Sequence, residues 1–183
     1  MTNTVLYWLL PAVLLFWALG AYNRLVRLRA QVIAAFVAVD NRLSQSLVLV
    51  TERVALGDGP GASDADAALE TATQGLSPDG LRGAAIQLEV ALRVVRRYPL
   101  DAPSVAALRT ARATMQTSWE RMQTGQESPE LAPNQRAWED HQQAAGEAVN
   151  VFNQCVNDYN HAIAQFPASV LAYFFGFRAA DSL

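Results

Sequence analysis

The 183-residue chain contains no lysine; all 14 of its basic residues are arginine. Arginine stays charged and forks to two acceptors, but a GC-rich coding bias produces the same pattern, and that plainer reading is preferred. Without a lysine the standard phosphate-binding loop, which presents one to the nucleotide phosphates, cannot be built. Histidine occurs twice, at His141 and His161, and neither stands in the two-histidine, glutamate spacing of a helix-borne zinc site. A single cysteine, Cys155, can form no disulfide within the chain and no cysteine-based metal cluster. It reads as a small apolar helix residue. No serine lies in a nucleophile-elbow pattern. The net charge of −3 gives no reason to expect nucleic-acid binding. No catalytic residue, cofactor site or metal site is expected, and the chain reads as non-enzymatic.

What the sequence does have is apolar helix. From Val5 to Tyr22 runs VLYWLLPAVLLFWALGAY, without a charge, and as a helix this stretch is about 27 Å long, close to the hydrocarbon thickness of a bilayer. Pro11 would end a helix in water but is tolerated, with a kink, inside a membrane. Tyr7 and Trp8 at one end, Trp17 and Tyr22 at the other, suit the two interfaces. A cleaved signal peptide competes, with Ala18 and Gly20 as small residues before a cut, but the leading MTNT carries no basic side chain. The basic residues follow the span, at Arg24, Arg27 and Arg29, which by the positive-inside rule places the N-terminus outside and the rest in the cytoplasm of a single-pass inner-membrane protein. A periplasmic domain is the alternative topology.

Beyond the span the apolar period does not pause. Leu25, Leu28, Val32, Ala35, Val39, Leu43, Ser46, Val50 and Val54 recur every three or four residues, and no Gly or Pro interrupts Ala21 to Leu56, so the membrane helix is expected to continue into the domain. GDGPGASDAD, from Gly57, reads as its stop. Its acids lack calcium-loop spacing, and a short helix capped by Ser63 and closed by Gly75 is expected there instead. Ser77-Pro78 starts a second helix, with Leu81, Ala85, Leu88, Leu92 and Val95, that ends at Tyr98-Pro99. A third starts at Asp101 to Ser104 and carries Leu108, Met115, Trp119 and Met122. After the polar loop GQESPELAPN the last long helix is expected from about Gln135 to Phe166.

That last helix carries two adjacent stripes. Val149, Phe152, Val156, Tyr159, Ile163 and Phe166 form a heptad seam for packing. One residue round lie Asn150, Asn153, Asn157 and Asn160. Asparagine is a poor interior helix residue unless its amide is solvated or hydrogen-bonded. Asn150 and Asn157 read as a solvated flank; Asn153 and Asn160, each directly after an aromatic, as buried hydrogen-bonding groups that fix helix register.

Two segments, YNRLVRLRAQVIAAFVAVDNRL after the span (Tyr22 to Leu43) and FNQCVNDYNHAIAQFPASVLAYFFGF (Phe152 to Phe177), together with a weaker RRYPLDA (Arg96 to Ala102), resemble the LemA family of bacterial membrane-anchored helical proteins. The double aromatic-Asn pairs, the Phe166-Pro167 break and the closing Phe-Gly-Phe carry most of the resemblance. It departs from the family in SQSLVLVTERV, where a double Arg and an Ile-Pro-Asn stretch are usual, and in an insertion over Gly125 to Gly146, so a divergent member is implied. The resemblance implies an antiparallel bundle on an N-terminal anchor and, as partners, membrane proteins such as phosphatase-like or peptidase neighbours.

The expected architecture is therefore all-α: a transmembrane helix (1–23) continuous with an up-down, four-helix-type bundle (24–183), plus a short C-terminal helix. Four alternating helices return the C-terminus to the bilayer, so Tyr22-Asn23 and Tyr159-Asn160 are expected side by side. After Pro167, ASVLAYFFGF is expected either to cap the bundle or to lie in the interface, with Leu171, Phe174, Phe175 and Phe177 as its patch. The functional expectation is a scaffold or adaptor that contacts lipid through Val5 to Tyr22 and is open to homo-oligomerisation. The alternative is a hydrolase or regulator built from scattered carboxylates, Asp40, Glu120 and Glu147, and the asparagine stripe.

Overall fold

The computed structural model describes residues 2–57, 78–124 and 132–183, with side chains placed over 12–55, 79–123 and 135–183. The expected calcium-free loop, the Ser63 to Gly75 helix, the Ser77 cap and residues 125–131 of the polar loop lie outside the described residues. Among the described residues five α-helices follow one another: α1 Thr2–Gly57, α2 Pro78–Arg97, α3 Ala102–Thr124, α4 Ala132–Ala164 and α5 Ala168–Phe175. No strand occurs among the described residues.

Helix α1 is continuous from Thr2 to Gly57, with Pro11 and Gly20 inside it, and between Ala21 and Leu56 nothing removes a backbone donor or frees the chain. Its environment changes along its length. Around Ala12 to Gly20 nearly every side chain is open, Leu15 at 70% and Phe16 at 78% among them. From Leu25 onward burial becomes periodic: Leu25, Val32, Phe36, Val39, Leu43, Ser46, Val50 and Val54 face inward. Ser46 fits this apolar row because its hydroxyl donates to the Arg42 carbonyl at 3.2 Å. Helix α1 is the one described helix long and apolar enough to cross a membrane.

The bundle is built by α1 packing along α4, α2 along α3, and α1 along α2. Phe36 meets Phe152 edge-on at 6.1 Å across the α1/α4 seam. The α2 row Leu81, Leu88, Leu92 and Val95 and the α3 row Val105, Leu108, Met115, Trp119 and Met122 complete the core, each such burial stabilising by about 1.5–3 kcal/mol relative to exposure. Helix α3 starts where the sequence predicts, with Asp101 Oδ2 accepting from the Ser104 backbone N–H at 3.1 Å and from its hydroxyl. An ion pair joins α1 to α2. Arg96 Nε donates to both Asp40 oxygens at 2.9 Å and Arg96 Nη2 donates to Ser44 at 3.0 Å, which holds the Arg96 guanidinium above its usual range.

Helices α3 and α4 stand further apart. No Cα of one lies within 8 Å of the other among the described residues, wider than helices packed directly at 8–10 Å between axes. The rings of Trp119 and Trp138 bridge the gap, stacked at 4.3 Å and 16°.

Helix α4 is displaced toward the N-terminus of its expected span, starting at Ala132 and ending at Ala164. Its early start tolerates Pro133 because a first-turn N–H has no helical partner to lose. Its early end overturns the expectation for Phe166: past the last helical residue the heptad register no longer applies, and Phe166 is 78% exposed instead of closing the seam. The earlier seam residues Val149, Phe152, Val156 and Tyr159 are buried as predicted.

Candidate functional site

Two features of the structure are unexplained by core packing, and both involve the C-terminal segment. At the base of the bundle α5 lies against α1 and α4. Pro167 heads it, with its carbonyl accepting from Val170 at 3.1 Å. Gly176 ends it in the left-handed region at φ 69, where the Phe177 N–H donates to the Ala172 carbonyl at 2.9 Å. The inner face of α5 buries Ala172, and Phe175 and Phe177 flank the ring of Tyr22 at 5.0 and 6.1 Å. Its outer face leaves Val170, Tyr173 and Phe174 open, the last two at 86% and 76%. Of the patch expected either to cap the bundle or to lie in the membrane interface, Leu171 and Phe177 are half-buried, while Phe174 and Phe175 are exposed. Trp17 and Phe166, 5.8 Å apart, extend this aromatic surface onto the apolar sleeve of α1. With Phe16, Arg24 and Pro167 they line an open cleft of about 410 Å³.

The expectation that Tyr22-Asn23 and Tyr159-Asn160 sit side by side is corrected. The antiparallel register that sets Phe36 against Phe152 places Tyr159 opposite Arg29, whose charge acts on the Tyr159 phenol. Arg29 lies two turns, about 10 Å, beyond Tyr22. Tyr22 therefore meets the α5 aromatics, Asn23 is exposed, and Tyr159 is buried at 1% exposure. Burial pushes the Tyr159 phenol above its ordinary value.

The second feature is the asparagine stripe. Asn150 and Asn157 are exposed, as expected of a solvated flank. Asn153 and Asn160 are hydrogen-bonded, also as expected, but their partner is the main chain of residues 180–183 and not another helix. Asn160 Nδ2 donates to the Ala180 carbonyl at 2.9 Å while the Ala180 N–H donates to Asn160 Oδ1 at 2.9 Å. Asn153 treats Leu183 identically, at 2.9 and 2.8 Å. On the α3 side the Arg109 guanidinium donates to the Ser182 carbonyl and lies 4.0 Å from Asp181. Ala180 is buried, and Leu183 packs on the core. The tail thus lies in the wide gap between α3 and α4.

Arg109 and residues 180–183 were not anticipated. The signal available was numerical: two asparagines seven apart are separated by about 10.5 Å along a helix, the length of three residues of extended chain. The carboxylates of the alternative reading do not converge. Glu120 and Glu147 are exposed and accept from Gln116 and Gln143 one turn earlier, and Asp40 is tied to Arg96. His161 is exposed, His141 half-buried, and Cys155 half-buried against the core. No group of three or more His, Cys, Asp or Glu placed to hold a metal occurs among the described residues. No family model matches the chain, and no match is found among curated proteins or solved structures.

Proposed function

We propose that this chain is a membrane-tethered helical bundle of the LemA kind that acts without catalysis, as a scaffold or adaptor for other proteins of the bacterial inner membrane. The observation that carries the reading is the convergence of two apolar surfaces at one end. The open sleeve of α1 around Leu15 and Phe16 and the outer aromatics of α5, Tyr173 and Phe174, adjoin through the Trp17/Phe166 and Tyr22/Phe175 ring contacts. A contiguous apolar surface of this kind is unfavourable in water and suits lipid below and headgroups beside it. Exposed Arg24, Arg27 and Arg29 directly beyond the sleeve favour a cytoplasmic bundle.

Two experiments test this. Phe174→Cys in a Cys155→Ala background, labelled with an environment-sensitive fluorophore in proteoliposomes, should report an apolar environment quenched by lipid-borne nitroxide. An emission spectrum typical of water would end the α5 interface reading. Proximity labelling from the native membrane should return a set of membrane proteins distinct from that of an unrelated single-span protein fused to the same enzyme; identical sets would remove the scaffold reading. A C-terminal reporter active only in the cytoplasm tests the orientation.

A further inference from the structure

The cleft between α1 and the turn from α4 to α5 differs at its two ends. Its α1 wall includes Trp17, Gly20 and Arg24, and the turn supplies Gln165 and Phe166. The register that packs Phe36 on Phe152 and sets Tyr159 opposite Arg29 brings Gln165 roughly level with Arg24, so both polar side chains stand at the bundle end. The rings of Trp17 and Phe166, 5.8 Å apart, stand at the other end, seven residues or about 10 Å along α1 from Arg24. Between the two ends Gly20 leaves the floor without a side chain, and a Cβ added there would meet nothing within 4 Å. The cleft is cationic at one end and aromatic at the other.

The charge at the bundle end is uncompensated. Arg24 is exposed and makes no hydrogen bond or ion pair among the described residues. No acid occurs from Ala12 to Val39 or from Tyr159 to Ala180, the stretches through which α1 meets the end of α4 and α5, and Arg27 follows Arg24 one turn on. Such a site attracts a net negative group and offers no carboxylate to the ammonium of a zwitterion. The other end suits hydrocarbon. Trp17 and Phe166 are 45% and 78% exposed, and the cleft opens at Phe16 onto the apolar sleeve. An amphiphile with an anionic head matches this order of surfaces, and the height is that of a bilayer's phosphates: with Val5 to Tyr22 in the hydrocarbon, Arg24 stands about 3 Å beyond it. A partner's apolar helix in the same cleft would leave Arg24 without an anion.

We propose that this cleft binds one anionic phospholipid of the leaflet next to the bundle, with its phosphate on Arg24 and the upper part of one acyl chain laid over Gly20 between Trp17 and Phe166. The Arg24 guanidinium forks to two phosphate oxygens, and the Gln165 amide is a further donor on the facing wall. A cleft of about 410 Å³ takes this part of a lipid and not the whole of it. The rest of the chain continues along the open side of α1 at Phe16. This role rests on the membrane-tether reading and adds selectivity to it: an apolar sleeve accepts any lipid, whereas the cleft chooses by headgroup charge.

The test uses the full-length chain carrying Trp8→Phe, so that Trp17 is the one tryptophan left between Val5 and Tyr22. It is placed in phosphatidylcholine vesicles holding the same minor fraction of either phosphatidylglycerol or phosphatidylcholine brominated on the acyl chains, and bromine quenches Trp17 on contact. Quenching should correspond to phosphatidylglycerol associating about fivefold more strongly, the gain expected of about one arginine held at an anionic lipid surface. Arg24→Gln should bring the two lipids to within about twofold. Arg29→Gln, about 140° round the helix from Arg24, should leave the preference unchanged, and Gly20→Leu, which fills the floor of the cleft, should lower quenching by phosphatidylglycerol to that by phosphatidylcholine. Circular dichroism of each variant confirms that the bundle is folded. Equal losses for Arg24→Gln and Arg29→Gln would mean diffuse attraction and overturn the site, as would a preference that survives Arg24→Gln. Loss of the preference to excess soluble glycerol phosphate would also overturn it, because a headgroup without its acyl chain would then suffice. If both lipids quench Trp17 equally in the native chain, the cleft proposal falls and the tether reading stands; if neither quenches it, both fall.

Discussion

Helix α4 presents two neighbouring stripes one residue apart, and they hold their partners by different physics. The stripe Val149, Phe152, Val156, Tyr159 meets α1 by shape and apolar burial. The stripe Asn153, Asn160 meets the tail by four directed hydrogen bonds. Apolar packing is non-directional and scales with area, so it makes a permanent seam. Amide pairing exchanges protein partners for water at a small net gain, so it makes a contact that can be formed and released. The first fixes the bundle; the second fixes only the tail.

The largest break is on the apolar side. Phe152, fully buried against Phe36, should on substitution by alanine lose about 3–5 kcal/mol of stability. Chemical denaturation of the solubilised protein would measure it, and a loss below 1 kcal/mol would mean that α4 is not seated on α1 as described. On the polar stripe the effect should be smaller. Asn160→Ala leaves the Ala180 N–H and C=O unpaired in a part-buried site, and should cost about 1–3 kcal/mol. It should also be local. Hydrogen exchange should rise at Ala180 and Leu183 while the α1/α4 seam stays protected, since the tail can open without the bundle opening.

These two stripes were unequally legible in the sequence. The apolar one was plain, because burial at a three-four period leaves its mark in the composition of one face. Leu81, Leu88, Met115 and Trp119 follow the same period, although on α1 the period points to Ala35 while its neighbour Phe36 is the buried residue. The asparagines were seen as needing partners, but the partner could not be read. A main chain has no residue type, so RAADSL looks like any polar terminus. Phe166 failed for a different reason: its position in the heptad was right, but the helix carrying it ended two residues earlier. The offset between Tyr22 and Tyr159 likewise depends on the register of α1 against α4, which the sequence period leaves free by any whole heptad. The apolar sleeve of α1 was legible from composition alone, while the aromatic surface shared by Trp17, Phe166 and Tyr173 required the fold to bring three separate segments together.

A third test lies on the apolar side and turns on pH. Tyr159 is buried and its phenol is pushed up from an unfolded value of about 10. Between that value and the raised one, the folded chain keeps a proton that the unfolded chain has released. Stability linked to Tyr159 is therefore fully present below about pH 10 and is lost as pH rises through the folded pKa. Tyr159→Phe should flatten this alkaline decline and leave the neutral region little changed. Unfolding midpoints measured from pH 8 to 11 would show it, and parallel curves for the two proteins would rule out Tyr159 as the source.

The smallest expected effect is the most direct check on the comparison itself. Asn157 has the same side chain as Asn153 and Asn160, on the same helix and one turn from each, but it is exposed. If the role of Asn153 and Asn160 came from asparagine's helix propensity, Asn157→Ala would resemble Asn160→Ala, and both would stabilise, since alanine is the better helix former by about 0.5 kcal/mol or more. If it comes from the main-chain pairing, the two substitutions should diverge in sign: Asn157→Ala neutral or slightly stabilising, within about 0.5 kcal/mol, and Asn160→Ala destabilising. The same denaturation series decides between them. The double variant adds a further constraint, because residues without a shared partner should give additive effects. Non-additivity would tie Asn157 to the tail contact after all.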